Sequence, residues 1–78
     1  MARTIYDDGL LKWEVYVSGG QPNSKVAARI FFLCLDAPMT PARCVLREDG
    51  DVAAAQRAIM EMSDDDLREL LATSVEVG

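Results

Sequence analysis

A chain of 78 residues carries a formal net charge of −5, is 50% apolar and contains no histidine. That length predicts one domain over 1–78, burying only about 60–65% of the surface its unfolded chain exposes, so association is a common source of extra stability at this size. The missing histidine removes the commonest general base, the usual Ser- and Cys-based triads and most mixed zinc sites, and net acidity argues against binding driven by nucleic-acid phosphates.

Charge is unevenly placed. Residues 1–47 hold six basic and four acidic side chains, whereas residues 48–78 hold two and nine. The longest unbroken apolar run, Ile30 to Leu35, is far short of the roughly 18 residues of a membrane span. The first residues include Arg3, Asp7 and Asp8 and lack the apolar core of a secretory signal, so the expected compartment is the cytoplasm, without membrane contact.

In chain order, Ala2 to Tyr6 predicts a short strand, and Asp7-Asp8-Gly9 a turn. Leu11, Trp13, Val15 and Val17 then alternate with Lys12, Glu14, Tyr16 and Ser18, the period-2 pattern of a half-buried strand. Residues 18–24 have loop composition. Val26 to Leu35 predicts a second long strand, with Ala28, Ile30, Phe32 and Cys34 on one face and Phe31, Leu33 and Leu35 on the other. Two prolines place a turn at Asp36 to Pro41, and Ala42 to Arg47 reads as a strand nearer the edge.

Glu48-Asp49-Gly50-Asp51 breaks the strand pattern, with Asp51 able to cap a helix whose stripe is Val52, Ala55, Ile59 and Met62. Ser63-Asp64-Asp65-Asp66 predicts a second helix start, continued by Leu67, Leu70 and Leu71, with Asp64 and Arg68 as an i,i+4 pair. Two helices with a bend at Met62–Ser63 are expected, one helix to about Thr73 being the alternative, and 74–78 reads as a tail. The fold class is α+β: an antiparallel meander of about four strands, followed by helices on one sheet face.

Asp7-Asp8-Gly9-Leu10-Leu11-Lys12-Trp13-Glu14-Val15 and Ser63-Asp64-Asp65-Asp66-Leu67 resemble a pattern in short, uncharacterised bacterial proteins: a Trp-containing N-terminal hairpin and a Ser-Asp-x-Asp/Glu-Leu helix. Three residues separate Gly9 from Trp13, where that pattern has two. The resemblance implies a small bacterial protein and assigns no functional residue.

No catalytic, cofactor-binding or metal-binding residue can be nominated, and an enzyme is not expected. Asp64, Asp65 and Asp66 lack the alternating spacing and Gly of a calcium loop. Gly19-Gly20 lacks the Lys-Ser/Thr of a phosphate loop. If the strands around Asp36–Pro41 pair symmetrically, Cys34 lies opposite Cys44, either as a disulfide or, as cytosolic redox conditions favour, as two reduced apolar side chains.

The surplus of apolar surface points furthest. One helical layer covers one sheet face, leaving Phe31, Leu33 and Leu35, with Tyr16 and Val45, on the other. The expected function is a protein-interaction module, acting as a homodimer or binding another protein as an acidic inhibitor or adaptor. Tyr16, Phe31, Leu33 and Leu35 on the sheet, and Glu61, Asp64, Asp65 and Glu69 on the helices, are the candidate contacts. The alternative is a single-stranded nucleic-acid binder in which Arg3, Arg29, Arg43 and Arg47 gather on one sheet face around the aromatics.

Overall fold

The computed structural model describes residues 3–18, 28–37, 39–47 and 52–77. Strands β1 (Arg3–Tyr6), β2 (Lys12–Ser18), β3 (Ala28–Cys34) and β4 (Arg43–Arg47) are followed by helices α1 (Val52–Glu61) and α2 (Asp64–Thr73) and a short strand β5 (Val75–Glu76). All pairs are antiparallel and the sheet order is β1-β2-β3-β4-β5. The α+β meander with two C-terminal helices therefore stands. The expected tail does not: residues 75 and 76 form the fifth strand, and the Val77 amide donates to the Ala42 carbonyl at 2.8 Å.

The period-2 pattern decides which face the helices cover. Ile5, Trp13, Val15, Ile30, Phe32 and Cys34 point into one cluster with Ile59 of α1 and Leu67 and Leu71 of α2. Phe32, Ile30, Val15 and Ile59 are wholly buried, each such side chain contributing about 1.5–3 kcal/mol through lost water contact. Helix α1 lies against β2 and β3, while α2 touches β1 and β4 and so crosses beneath the sheet. Both helices cover the same face.

Two helices form because residue 63 caps the second. The Ser63 hydroxyl accepts from the Asp66 amide at 3.1 Å, and three carboxylates occupy the positive first turn of α2. Neither helix has a basic residue in its last turn. Strand arginines supply that charge instead. Arg3 donates to the Ile59 carbonyl at 2.8 Å and to the Met62 carbonyl at the end of α1, and its other terminal nitrogen lies 2.6 Å from Asp64. Arg43 donates from Nε to the Ser74 hydroxyl at 2.8 Å and from its terminal nitrogen to the Ser74 carbonyl, just beyond α2. Each guanidinium meets the negative end of a helix dipole. The expected Asp64–Arg68 pair is replaced: Asp64 pairs with Arg3, and Arg68 with Asp65.

The β1–β2 turn is held by Asp7. Its carboxylate accepts from the Gly9 amide at 2.8 Å, the Leu11 amide at 2.9 Å and the Trp13 indole N–H at 2.8 Å. The left-handed residue is Leu10, at φ 64°, rather than Gly9. The predicted cap Asp51, residues 19–24 of the predicted loop and the predicted start of the second long strand at Val26 lie outside the described residues, while Ser18 belongs to β2. Among the described residues, no helix is long and apolar enough to cross a membrane.

Candidate interaction surfaces

The strand registers order the uncovered sheet face into rows. Thr4, Glu14 and Leu33 form one; Tyr16, Phe31, Cys44 and Val75 form the next; Ser18, Arg29 and Leu46 form a third. At one end, Tyr6 lies beside Lys12, whose carbonyl accepts from the Leu35 amide at 2.8 Å. The Tyr16 and Phe31 rings stack, with centroids 5.3 Å apart and planes inclined by 14°. Beside them Leu33 is 40% exposed, Leu46 49% and Val75 63%. Aromatic and aliphatic groups thus run across four strands with neither described helix above them. That is a contiguous apolar patch.

Tyr16, Phe31 and Leu33 fall together as expected, and Leu35, also exposed, continues their line past the end of β3. Val45 does not join them. It pairs with Ile30 and packs against the covered core, while Cys44 and Leu46 occupy the uncovered face. A symmetric hairpin would place residue 34 opposite residue 44, but Phe31 is the partner of Cys44. This offset is an odd number of residues, so it turns every β4 side chain to the other face. Cys34 is buried opposite Trp13, Cys44 is half-buried on the uncovered side, and neither is in a disulfide. A cross-strand bridge between them is therefore excluded by parity.

The same parity disperses the arginines. Arg3 pairs with Val15, Arg43 with Phe32 and Arg47 with Ala28, all on the helix side, leaving Arg29 alone of the four on the uncovered face. An arginine-lined platform around the aromatics is not formed.

Glu61, Asp64, Asp65 and Glu69 are exposed on the helical side. Asp64 is engaged by Arg3 and Asp65 by Arg68. The Asp65 hydrogen bond raises the Arg68 pKa above its ordinary value; burial opposes it, and the nearby charges of Asp65, Asp64 and Asp8 add to the rise. Arg68 also donates to the Tyr6 carbonyl at 3.0 Å. Around it lie two shallow clefts of about 240 and 380 Å³, formed by Asp7, Asp8 and Gly9 of the first turn and by Asp65, Glu69 and Ala72 of α2. They sit at or below the small end of ligand pockets, with Asp7, Asp8, Asp65 and Glu69 as their carboxylates and Leu71 and Ala72 among their apolar lining. The Asp7 carboxyl titrates below its ordinary value, chiefly because the Trp13 indole donates to it, with the Leu11 and Gly9 amides adding to the effect and burial opposing it.

The sequence reading missed Cys44, Leu46 and Val75 as members of the sheet surface. The alternation of Cys44 and Leu46 was legible but their face depended on register, and Val75 lay in the expected tail. Among the described residues, no group of three His, Cys, Asp or Glu side chains is placed to hold a metal ion. No protein-family model, no curated protein and no solved structure matches this chain.

Proposed function

We propose that the chain is a non-enzymatic protein-interaction module that uses its uncovered sheet face as the main contact surface. The observation carrying this reading is the row Tyr16–Phe31–Cys44–Val75 with Leu33 and Leu46 beside it: apolar, contiguous and unshielded by either helix. Monomeric proteins rarely leave such a patch facing water, and interface centres are enriched in aromatic side chains. The carboxylates near α2 form a second, separate surface, suited to a basic partner and sensitive to salt. An acidic inhibitor or adaptor would combine the two.

The test compares proteins captured from host extract by wild type, Leu33→Arg and Glu69→Lys, each checked for an unchanged circular dichroism spectrum. A partner lost with Leu33→Arg but retained with Glu69→Lys and in high salt supports binding through the sheet. Equal capture by all three chains overturns it.

A further inference from the structure

We propose that a second copy of this chain covers the sheet face, in a two-fold dimer whose strands run antiparallel across the interface and in which Glu14 of each copy meets Arg29 of the other. This inference rests on the sheet face being the contact surface and names its occupant.

Glu14 and Arg29 flank the Tyr16–Phe31 row on opposite sides and on adjacent strands. Two rows separate them, roughly 13 Å at about 3.3 Å per residue, so they cannot pair within one copy. Their cross-strand neighbours on this face, Thr4, Leu33, Ser18 and Leu46, are uncharged. Among the described residues no ion pair engages either one. Two opposite charges therefore lie beside an apolar row, neither held in an ion pair among the described residues, with Lys12 two residues from Glu14 as the other charge on this face.

Two-fold stacking of sheet on sheet has two simple forms. An axis parallel to the strands and over β3 sets each row over the same row of the other copy, so Arg29 faces Arg29 and Glu14 faces the region of Ala42. An axis perpendicular to the strands, over the Tyr16–Phe31 row, reverses the rows. The partner's Glu14 then stands over Ser18, next to Arg29, and the partner's Leu33 lies over the aliphatic stem of Arg29. Tyr16, Phe31, Cys44 and Val75 meet their own counterparts near the axis, as an isologous interface requires. Only the second form joins apolar to apolar and opposite charge to opposite charge, twice.

Overall acidity does not oppose this approach. The described acidic residues of the C-terminal third lie on the helices or at the β5 edge, whereas the sheet face itself carries Lys12 and Arg29 against Glu14 and is close to neutral. A strongly charged partner would find its attraction on the other side of the molecule. The interface is small: five strands of two to seven residues, at about 3.3 Å per residue and about 4.8 Å spacing, span roughly 400 Å² of projected area per copy. That is at the low end of specific interfaces, so association is expected to depend on concentration.

Sedimentation equilibrium on the purified full chain, in reductant and low salt, tests the geometry. The expected result is a reversible monomer–dimer equilibrium, weakened about tenfold or more by Glu14→Arg or Arg29→Glu alone, and restored to within about threefold by the two together. Alkylation of Cys44 should slow as protein concentration rises, because the dimer covers it. Monomer at about 0.5 mM, or a double variant no better than the singles, overturns the dimer. If a monomeric chain still loses a protein partner through Leu33→Arg, the dimer fails while the sheet-face reading stands. If Leu33→Arg changes neither dimerisation nor capture, both fail.

Discussion

Replacing Arg3 by Met should cost far more stability than its place at the start of an edge strand suggests. Its guanidinium donates to two carbonyls at the end of α1, Ile59 and Met62, and contacts Asp64 at the start of α2. Hydrogen bonds from a charged donor are worth about 1.5–3 kcal/mol each when buried. The Arg3 side chain retains 21% exposure, which reduces that to about 1 kcal/mol for each carbonyl. Compensation of the helix dipole adds about 0.3–1 kcal/mol. Asp64 is 57% exposed, so its pair with Arg3 contributes under about 1 kcal/mol. The sum is about 2–4 kcal/mol, or a fall in Tm of roughly 10–30 °C for a domain of this size. Urea unfolding followed by Trp13 fluorescence and by circular dichroism, at one fixed protein concentration, measures it. Asp64→Asn alone should cost less than about 1 kcal/mol. An Arg3→Met cost below about 1 kcal/mol, or one equal to that of Asp64→Asn, would refute the assignment of Arg3 as the clamp at the end of α1.

Further outcomes follow from the same contacts. Trp13→Ala should destabilise by about 3–5 kcal/mol, since the ring is 5% exposed at the centre of the core; an unchanged urea midpoint would show that the ring is not in the core. Asp7 titrates below its ordinary value in the folded chain, so its contribution is complete above the unfolded pKa of about 4 and is lost as pH falls through the lower folded value. Thermal melts between about pH 2 and 6 should therefore show an acid-side loss that is smaller in Asp7→Asn, with parallel curves counting against the carboxylate. Cys34 should react with a thiol reagent only on unfolding and Cys44 in the native monomer, a difference that peptide mass spectrometry of alkylated protein would detect. Leu10→Gly should stabilise by up to about 1 kcal/mol by relieving the left-handed backbone at φ 64°, and a lower Tm would contradict this.

Much of the local structure was legible in the residues. Alternation at Trp13, Val15 and Val17 marked β2, and the spacing of Ala55, Ile59, Leu67 and Leu71 marked the core stripes of both helices. Ser63 with three following carboxylates announced the start of α2. These signals depend on periods of 2 and 3.6 residues and on caps within one turn, so a short stretch of chain contains them. The apolar surplus of β3 was equally visible, and with it Tyr16, Phe31 and Leu33 as surface contacts.

What the tertiary structure alone decided was the alignment of distant segments. The β3–β4 connection, where the prolines lie, determines the offset between Phe31 and Cys44, and that offset sent Val45 inward and Cys44 and Leu46 outward. Strand β5 forms because Arg43, Ser74 and Glu76 meet at the end of α2; two residues have too little intrinsic strand preference to declare themselves. Likewise, an arginine at position 3 is ordinary until folding brings it to carbonyls 56 and 59 residues away. Side-chain parity is a property of the strand, but the face it selects depends on register, and register is a contact between parts of the chain that no local pattern relates.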